Sequence, residues 1–509
     1  MSLRPAENRL GYATVIRQFS QAIVTKTGPA FEPAHGVPPA ELSSAQKMST
    51  KLTTAKVERL QPMTPTIRVS RKRSAMRGYF CSALASYLAL YVRPQDEIVE
   101  MDPRSAGLGE QFLNYKAVSG IEELKALQRG PGCYILLNGT IHYERDIQKM
   151  LNQLQESLEG SDRIVFVYYS MLWKPLARLA SKAGIRSRTP ELNWIAHGDL
   201  ENFCHLAGLE LIRHDLKLLC PIPIPFLANA LNRYLAPLPF FRLFTMLNIV
   251  LARPVKSALK EHPSVSVIVP ARNESGNIDS LLARCPIMGP EDEIIFVEGN
   301  STDDTWEKIQ QAASAYKGPH RIRIAQQKGR GKGDAVRLGF DLATNDILMI
   351  LDADLTTPPE ELPTFYNAIA ENKGEFANGS RLVYPMEKQA MRFFNILGNK
   401  FFAAAFSFVL GQRFKDTLCG TKVLSRTHYK RIAATREFFG DFDPFGDFDL
   451  LFGAARMGLK IVEIPVHYHE RTYGTTNIQR WRHGLILLRM LMFAARRMKF
   501  LGHETLHSQ

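Results

Sequence analysis

Three pairs of aspartates stand two residues apart in this chain: Asp352/Asp354, Asp441/Asp443 and Asp447/Asp449. Two carboxylates at that spacing can share a divalent cation, and a cation held in this way bridges the oxygens of a diphosphate. Context separates the pairs. Only Asp352-Ala-Asp354 follows a continuous apolar run, at 347–351, so only this pair is expected at the end of a buried strand. The same residues can also make a solvated strand-end turn in which Asp354 caps the following helix. Just upstream, Gly329-Arg-Gly-Lys-Gly-Asp334 sets Arg330 and Lys332 among glycines that let backbone approach an anion closely. Asp447 and Asp449, in Phe445-Gly-Asp-Phe-Asp-Leu450, offer a general base or, equally, the acids favoured at a helix N-terminus. In Val466-His-Tyr-His-Glu470 the alternation sets His467 and His469 on one face of a strand, as a third metal ligand or as exposed edge histidines.

The surrounding residues form elements that can position these groups. Val265-Ser-Val-Ile-Val-Pro270 reads as a strand running into polar residues and a helix; residues 293–298 repeat the pattern, with Ser301 or Thr302 available to cap a helix near Asp303. A third strand at 321–325 runs into the glycine loop and a helix at 335–343, and the strand at 347–351 carries the aspartate pair. Strands alternating with helices imply a mostly parallel α/β sheet with ligands beyond the carboxyl ends of the strands, so the four polar loops should share one rim.

Taken in order, the segments 265–274, 297–305, 332–339, 352–360, Gly379-Ser-Arg381, 416–422, 447–449 and 463–477 resemble family 2 inverting glycosyltransferases of the GT-A, nucleotide-diphospho-sugar-binding fold, and most of all the polyprenyl-phosphate sugar transferases. The resemblance covers about 263–480. It implies that Pro270, Ala271, Arg272 and Glu274 line the nucleotide, with Glu298 near base and ribose. It implies too that Asp352 and Asp354 hold Mg²⁺ or Mn²⁺; Lys332 in its glycine loop is read as meeting the donor's phosphates, with Arg381 and Arg471 as cationic clamps on the diphosphate. The chain departs from the family in three places. The acidic pair after the second strand is Glu298-Gly299, the residues after Asp-Ala-Asp-Leu are Thr356-Thr357, and the closing R-x-x-G-x-S-K is Arg471-Thr-Tyr-Gly-Thr-Thr-Asn477, which lacks the lysine. That last stretch can still offer Arg471 and hydroxyls to a diphosphate, or be a surface loop.

Residues 79–254 also read as α/β, with strands at 97–102, 134–138, 163–169 and 248–252 and helices at 147–158 and 175–183. This order resembles the later part of a class I S-adenosylmethionine methyltransferase, a partial Rossmann-like fold. Where a glycine turn should cradle the cofactor stands Glu100-Met-Asp-Pro-Arg-Ser-Ala-Gly-Leu-Gly109, and only 103–132 separate the first strand from the next at 134. That is room for about one crossover, so two strands are expected to be lost and the half to bind no cofactor.

The chain is therefore read as a basic disordered arm (1–74), a degenerate methyltransferase-like domain (75–254), a glycosyltransferase domain (255–480) and a basic apolar C-terminal helix and tail (481–509). The arm holds twelve bases against four acids, much of the excess of 64 Lys and Arg over 50 Asp and Glu. Six scattered cysteines without a C-x-x-C pair indicate neither zinc nor disulfides, and a reducing compartment is expected. No apolar run reaches the ~18 residues of a spanning helix. The stretch 484–500, apolar with Arg489, Arg496, Arg497 and Lys499, has the composition of an interfacial membrane helix or of a core helix with a basic edge. These readings converge on metal-assisted transfer of a sugar from a nucleotide-sugar donor to a polyprenyl phosphate, without nucleic acid, on the cytoplasmic face of a membrane. The alternatives are a sugar hydroxyl as acceptor, in cell-surface polysaccharide synthesis, and a non-catalytic nucleotide-sugar-binding scaffold.

Overall fold

The computed structural model describes residues 71–500 apart from 105–106, 185, 187–188, 190, 257–258, 385–392, 437–445, 447, 472 and 475–479. The stretch read as an arm thus lies outside the described residues up to position 70. Its last residues, Arg71–Arg73, instead open the helix Arg71–Leu88, whose Leu84, Ala85 and Leu88 are buried.

Two sheets are built in succession. The first contains β1 (Ile98–Met101), β2 (Tyr115–Val118), β3 (Tyr134–Asn138), β4 (Arg163–Tyr169), β5 (Leu209–Lys217) and β6 (Leu247–Pro254), in the order β2-β1-β3-β4-β6-β5. The strands β1 to β4 pair in parallel, whereas β6 runs antiparallel to both β4 and β5. The stretch 103–132, expected to have lost two strands, holds β2 and the helix Ile121–Ala126. One crossover with a four-residue strand fits in that length because β2 lies at the sheet edge, where short strands suffice.

The second sheet contains β7 (Val265–Ala271), β8 (Glu293–Glu298), β9 (Arg321–Gln326), β10 (Ile347–Ile350), β11 (Phe376–Ser380), β12 (Lys422–Ser425) and β13 (Ile461–Pro465). Its order is β13-β11-β12-β10-β7-β8-β9. The central strands β7, β8 and β10 are apolar runs because helices cover both faces, so neither side of the strand meets water. The helix Lys332–Leu342 packs closely enough that a Cβ on Gly339 would collide with Ile268. All strands run parallel except β12, which is inserted antiparallel between β10 and β11. This reversal matters for the chemistry. The carboxyl ends of β7, β8, β9, β10, β11 and β13 share one rim, and the start of β12 is delivered to the same rim.

The sheets are tied by charges removed from water. Arg163 of β4, 2% exposed, donates to both oxygens of Glu375 at 2.8 and 2.9 Å and to Gly458 O at 2.9 Å. Arg253 of β6 donates to the side chain and the backbone carbonyl of Asn372, each at 2.8 Å.

The helix Arg480–Met498 buries Leu487, Met490, Ala494 and Met498 in the core of the second sheet. It exposes Leu485, Leu488, Arg489, Met492 and Arg496 on the other side. Lys499, at its end, is buried and pairs with Asp215 of β5 at 2.9 Å. The six cysteines are unbridged, and five are buried.

Candidate active site

Four loops leave the rim from β7, β8, β9 and β10, and side chains lace the first three together. Asn273 takes a left-handed backbone (φ +58°), donates its amide to Ser301 Oγ at 3.0 Å and accepts from Thr302 N at 2.8 Å. Ser301 therefore braces the neighbouring loop; the helix it was expected to cap starts at Thr305. Asn300, also left-handed, donates to Gly329 O at 3.1 Å. In the fourth loop Leu355 adopts φ +55°, an unfavourable region for a branched side chain that is sustained by packing around the aspartate turn.

That turn places Asp352 and Asp354 beyond β10. Asp352 pairs with Lys332 at 2.6 Å and is about a quarter exposed. Burial pushes its carboxyl up, but Lys332, Lys422 and Arg471 outweigh that and hold it below the usual carboxylate range. Asp354 accepts from Thr356 N at 3.1 Å and Thr356 Oγ1 at 2.8 Å through one oxygen, and from Arg471 through the other. Arg471 also reaches Glu274 at 3.3 Å, so one guanidinium joins the β7 loop, the β10 loop and the segment after β13. Glu274 is buried and accepts from Asn277 at 2.7 Å. Burial raises its carboxyl to about 7, with Asp354 and Asp352 adding to the rise and Arg471 opposing it.

Gly420, just before the reversed strand β12, lies against the Asp352–Lys332 pair. A Cβ there would overlap Asp352 Oδ2 and stand 2.5 Å from Lys332 Nζ. The missing side chain lets the Asp352 carboxylate lie directly against the backbone at 420, and the two aspartates with Thr356 form an all-oxygen set suited to a hard divalent cation. Among the described residues no three His, Cys, Asp or Glu side chains converge as a ready-made metal cage.

Other residues singled out by sequence are placed differently. Pro270 and Ala271 end β7, paired with Val297 and Glu298 of β8, and Arg272 is exposed beyond them. Glu298, 2% exposed, spends its carboxylate on Ser301 N and on Gln326 Nε2 at 3.1 Å, shaping its own loop. Arg381 is held by Asp416, from its Nε at 2.7 Å and Nη2 at 3.0 Å, and stacks over Tyr468. Asp449 opens the helix Phe448–Arg456, 5% exposed, with Arg337 at 3.3 Å and Arg436 at 3.4 Å. Asp447 lies outside the described residues, as do Asp441 and Asp443. The strand expected to carry His467 and His469 ends at Pro465, because β11 offers no partner beyond Ser380. His467 stacks on Tyr384 with its Nδ1 2.5 Å from Glu361, and the amide of His469 donates to Thr356 O at 3.0 Å.

Three contributors carried no role in the sequence: Gly420, the fully buried Lys422 beside Asp352, and Tyr473, whose hydroxyl lies 3.0 Å from Ser275 Oγ. The reversed strand β12 brings the first two in, and nothing in local periodicity announces a reversal.

Residues 266–433 match the family model described as glycosyl transferase family 2. That span runs from β7 into the helix after β12, so the mixed sheet and its rim carry a GT-A-like fold. Among curated proteins, the dolichol-phosphate mannosyltransferase of Pyrococcus furiosus is 30% identical over 244 residues, 47% of this chain and 64% of that one. The undecaprenyl-phosphate 4-deoxy-4-formamido-L-arabinose transferase of Klebsiella pneumoniae is 36% identical over 103 residues, 19% of this chain and 31% of that one. The chain thus spans less than two thirds of the length of either relative. A glucosyl-3-phosphoglycerate synthase of Mycobacterium tuberculosis, crystallised with Mn²⁺, uridine diphosphate and glucosyl-3-phosphoglycerate, is 19% identical. Its superposition covers 47% of this chain and 81% of that one at a TM-score of 0.34.

Proposed function

We propose that the chain transfers a sugar from a nucleotide-diphosphate donor to a polyprenyl phosphate, with inversion. The observation that carries this reading is the convergence of Asp352, Asp354, Lys332, Arg471 and Glu274 on one rim. The names of the two curated relatives, both lipid-phosphate sugar transferases, point the same way. An oxygen of the acceptor phosphate bonds to the anomeric carbon as the bond to the nucleotide diphosphate breaks. A phosphate monoester is already anionic at neutral pH, so the step needs charge stabilisation more than a base. Lys332 and Arg471 bring cationic charge to the departing diphosphate. Asp352 and Asp354 are the residues that would hold Mg²⁺ or Mn²⁺, which when bound neutralises charge on that diphosphate. Pro270, Ala271, Arg272 and Glu274 are assigned to the nucleotide side of the rim. Glu298 supports that side through its loop, and Arg381 steadies Asp416.

A hydroxyl acceptor would need a base. Asp449 is poorly suited to that role, because it is buried and its carboxylate is held between two guanidiniums. The test is transfer of radiolabelled sugar from a panel of nucleotide sugars to short polyprenyl phosphates, with Mg²⁺, with Mn²⁺ and in EDTA. Transfer to a glycan hydroxyl and never to the lipid phosphate would replace this reading with the hydroxyl one; donor binding without any transfer would leave the scaffold.

The division at about 254/255 belongs to the same proposal, with β6 closing a methyltransferase-type half. Its support is the strand order, parallel β1 to β4 followed by a reversed β6 between β4 and β5. This half is proposed to bind no S-adenosylmethionine. Glu100, at the end of β1, is buried and occupied by Tyr115 at 2.6 Å and Asn138 at 3.1 Å, and a Cβ on Gly109 would meet the Tyr115 ring at 2.7 Å. Isothermal titration with S-adenosylmethionine should show no heat; micromolar binding would make the chain bifunctional. A peripheral position on the cytoplasmic face of a membrane completes the proposal, supported by the exposed apolar and basic stripe Leu485–Arg496. Among the described residues no helix is long and apolar enough to cross a membrane.

A further inference from the structure

Many of the chain's exposed apolar side chains lie in segments far along the sequence from the rim carrying Asp352 and Asp354. Residues 222–227 are all exposed, and Phe226 at their tip is 93% exposed on a left-handed backbone. Further on, Phe240, Leu243 and Phe244 are 65%, 55% and 49% exposed. Beside them Leu172, Leu176 and Leu179, on and just before the helix Lys174–Lys182, are 61%, 51% and 63% exposed. The last two groups are one surface, because Trp173 Nε1 donates to Phe244 O at 2.9 Å and Ser170 N to Met246 O at 2.8 Å, and residues 222–227 lead toward them along the chain through the helical segment 227–235. Contiguous apolar surface of this kind marks an interaction site.

Charge indicates the occupant. Residues 171–186 and 218–246 contain no Asp or Glu, whereas Lys174, Arg178, Lys182, Arg233 and Arg242 stand among the apolar side chains. A second copy docking face to face would set these cations against their own copies, since a two-fold contact places the same patch on both sides. Behind the arch 223–226 lies a cavity of about 270 Å³ with Lys217 on its wall. Lys217 is 3% exposed, burial lowers its amine to about 7, and its Nζ makes no hydrogen bond or ion pair among the described residues, standing 5.7 Å from the Tyr87 ring. Aromatic and leucine side chains interleaved with cations suit the boundary between acyl chains and anionic headgroups.

We infer that the surface formed by 171–179 and 222–244 docks on an anionic lipid bilayer, with Phe226 and Phe240 entering the headgroup boundary. This goes beyond the C-terminal stripe and does not depend on the transfer reaction. The test is co-sedimentation of the full chain with phosphatidylserine/phosphatidylcholine vesicles and with pure phosphatidylcholine vesicles, alongside size-exclusion light scattering. The chain should bind the anionic vesicles more tightly. The double variant Phe226→Ser/Phe240→Ser should need about tenfold or more lipid for half-binding, with an unchanged melting temperature and unchanged nucleotide-sugar binding. Leu485→Ser/Met492→Ser should shift it by a smaller factor, which reads the separate share of the C-terminal stripe. Parental vesicle binding by the Phe226/Phe240 variant would overturn the inference. So would equal binding to neutral vesicles, or a dimer that the Phe226/Phe240 variant converts to monomers.

Discussion

Asp354, half-buried, and Asp449, buried, are both carboxylates paired with arginine, but they face different environments. Asp354 sits on the rim between Arg471 and a threonine turn, and its loss should leave packing intact. Asp354→Ala is expected to lower transfer by about 100-fold or more while the melting temperature stays near the parent's. A radiolabelled transfer assay beside a thermal melt checks both, and full activity in EDTA would sink the metal assignment. Asp449 lies in the protein, between Arg337 and Arg436. Asp449→Asn should therefore act on stability, costing about 3 kcal/mol in urea unfolding because the guanidiniums lose their counter-charge. Transfer to a polyprenyl phosphate should fall less than about tenfold, whereas removal of a true base costs about 10²–10⁴-fold. A stable but inactive variant would restore Asp449 as a base.

At the scale of elements, the site depends on one reversed strand. By running against its neighbours, β12 brings its first residues, rather than its last, to the rim, and so sets Gly420 and Lys422 beside Asp352. A methyl group at 420 would collide with the Asp352 carboxylate and displace the Asp352–Lys332 pair. Gly420→Ala should therefore weaken nucleotide-sugar binding about tenfold or more in calorimetry, with the far-ultraviolet spectrum unchanged. Parental affinity would mean that donor binding does not depend on where the Asp352–Lys332 pair sits.

For the whole molecule, the junction between the sheets is a buried charge cluster. Glu375 receives Arg163 through both oxygens, with Arg253 at 3.8 Å and His428 at 3.9 Å. Glu375→Ala should destabilise by about 3–5 kcal/mol in urea unfolding because it strands buried Arg163. Acid should loosen the fold as well. Burial lowers His428 and His214 from 6.5 to about 4, the latter aided by its stacked neighbour His197. Between those values the unfolded chain binds protons that the native one refuses. Stability therefore falls as pH drops from 6.5 toward 4, by ~1.4 kcal/mol per pH unit for each histidine. His428→Gln should remove one histidine's share of that slope, measured as unfolding free energy against pH; an unchanged slope would place the proton uptake elsewhere.

Sequence alone determined the strands and the loops they feed. Short, largely apolar runs bounded by polar loops, such as 265–269 and 347–351, read as buried strands, and Asp352-Ala-Asp354 directly after one of them then falls at a strand end. That information is local, written in periodicity and composition. The tertiary structure decided what each charged side chain faces. Glu298 turns into its own loop, Arg381 is taken by Asp416, Asp449 is enclosed by two arginines, and Arg471 reaches back almost two hundred residues to Glu274. It also decided that residues 222–244, whose apolar composition reads like core, leave their largest side chains exposed. Partners of this kind come from strands brought together by topology. A charge selects among them by burial and distance, and neither quantity exists until the chain is folded.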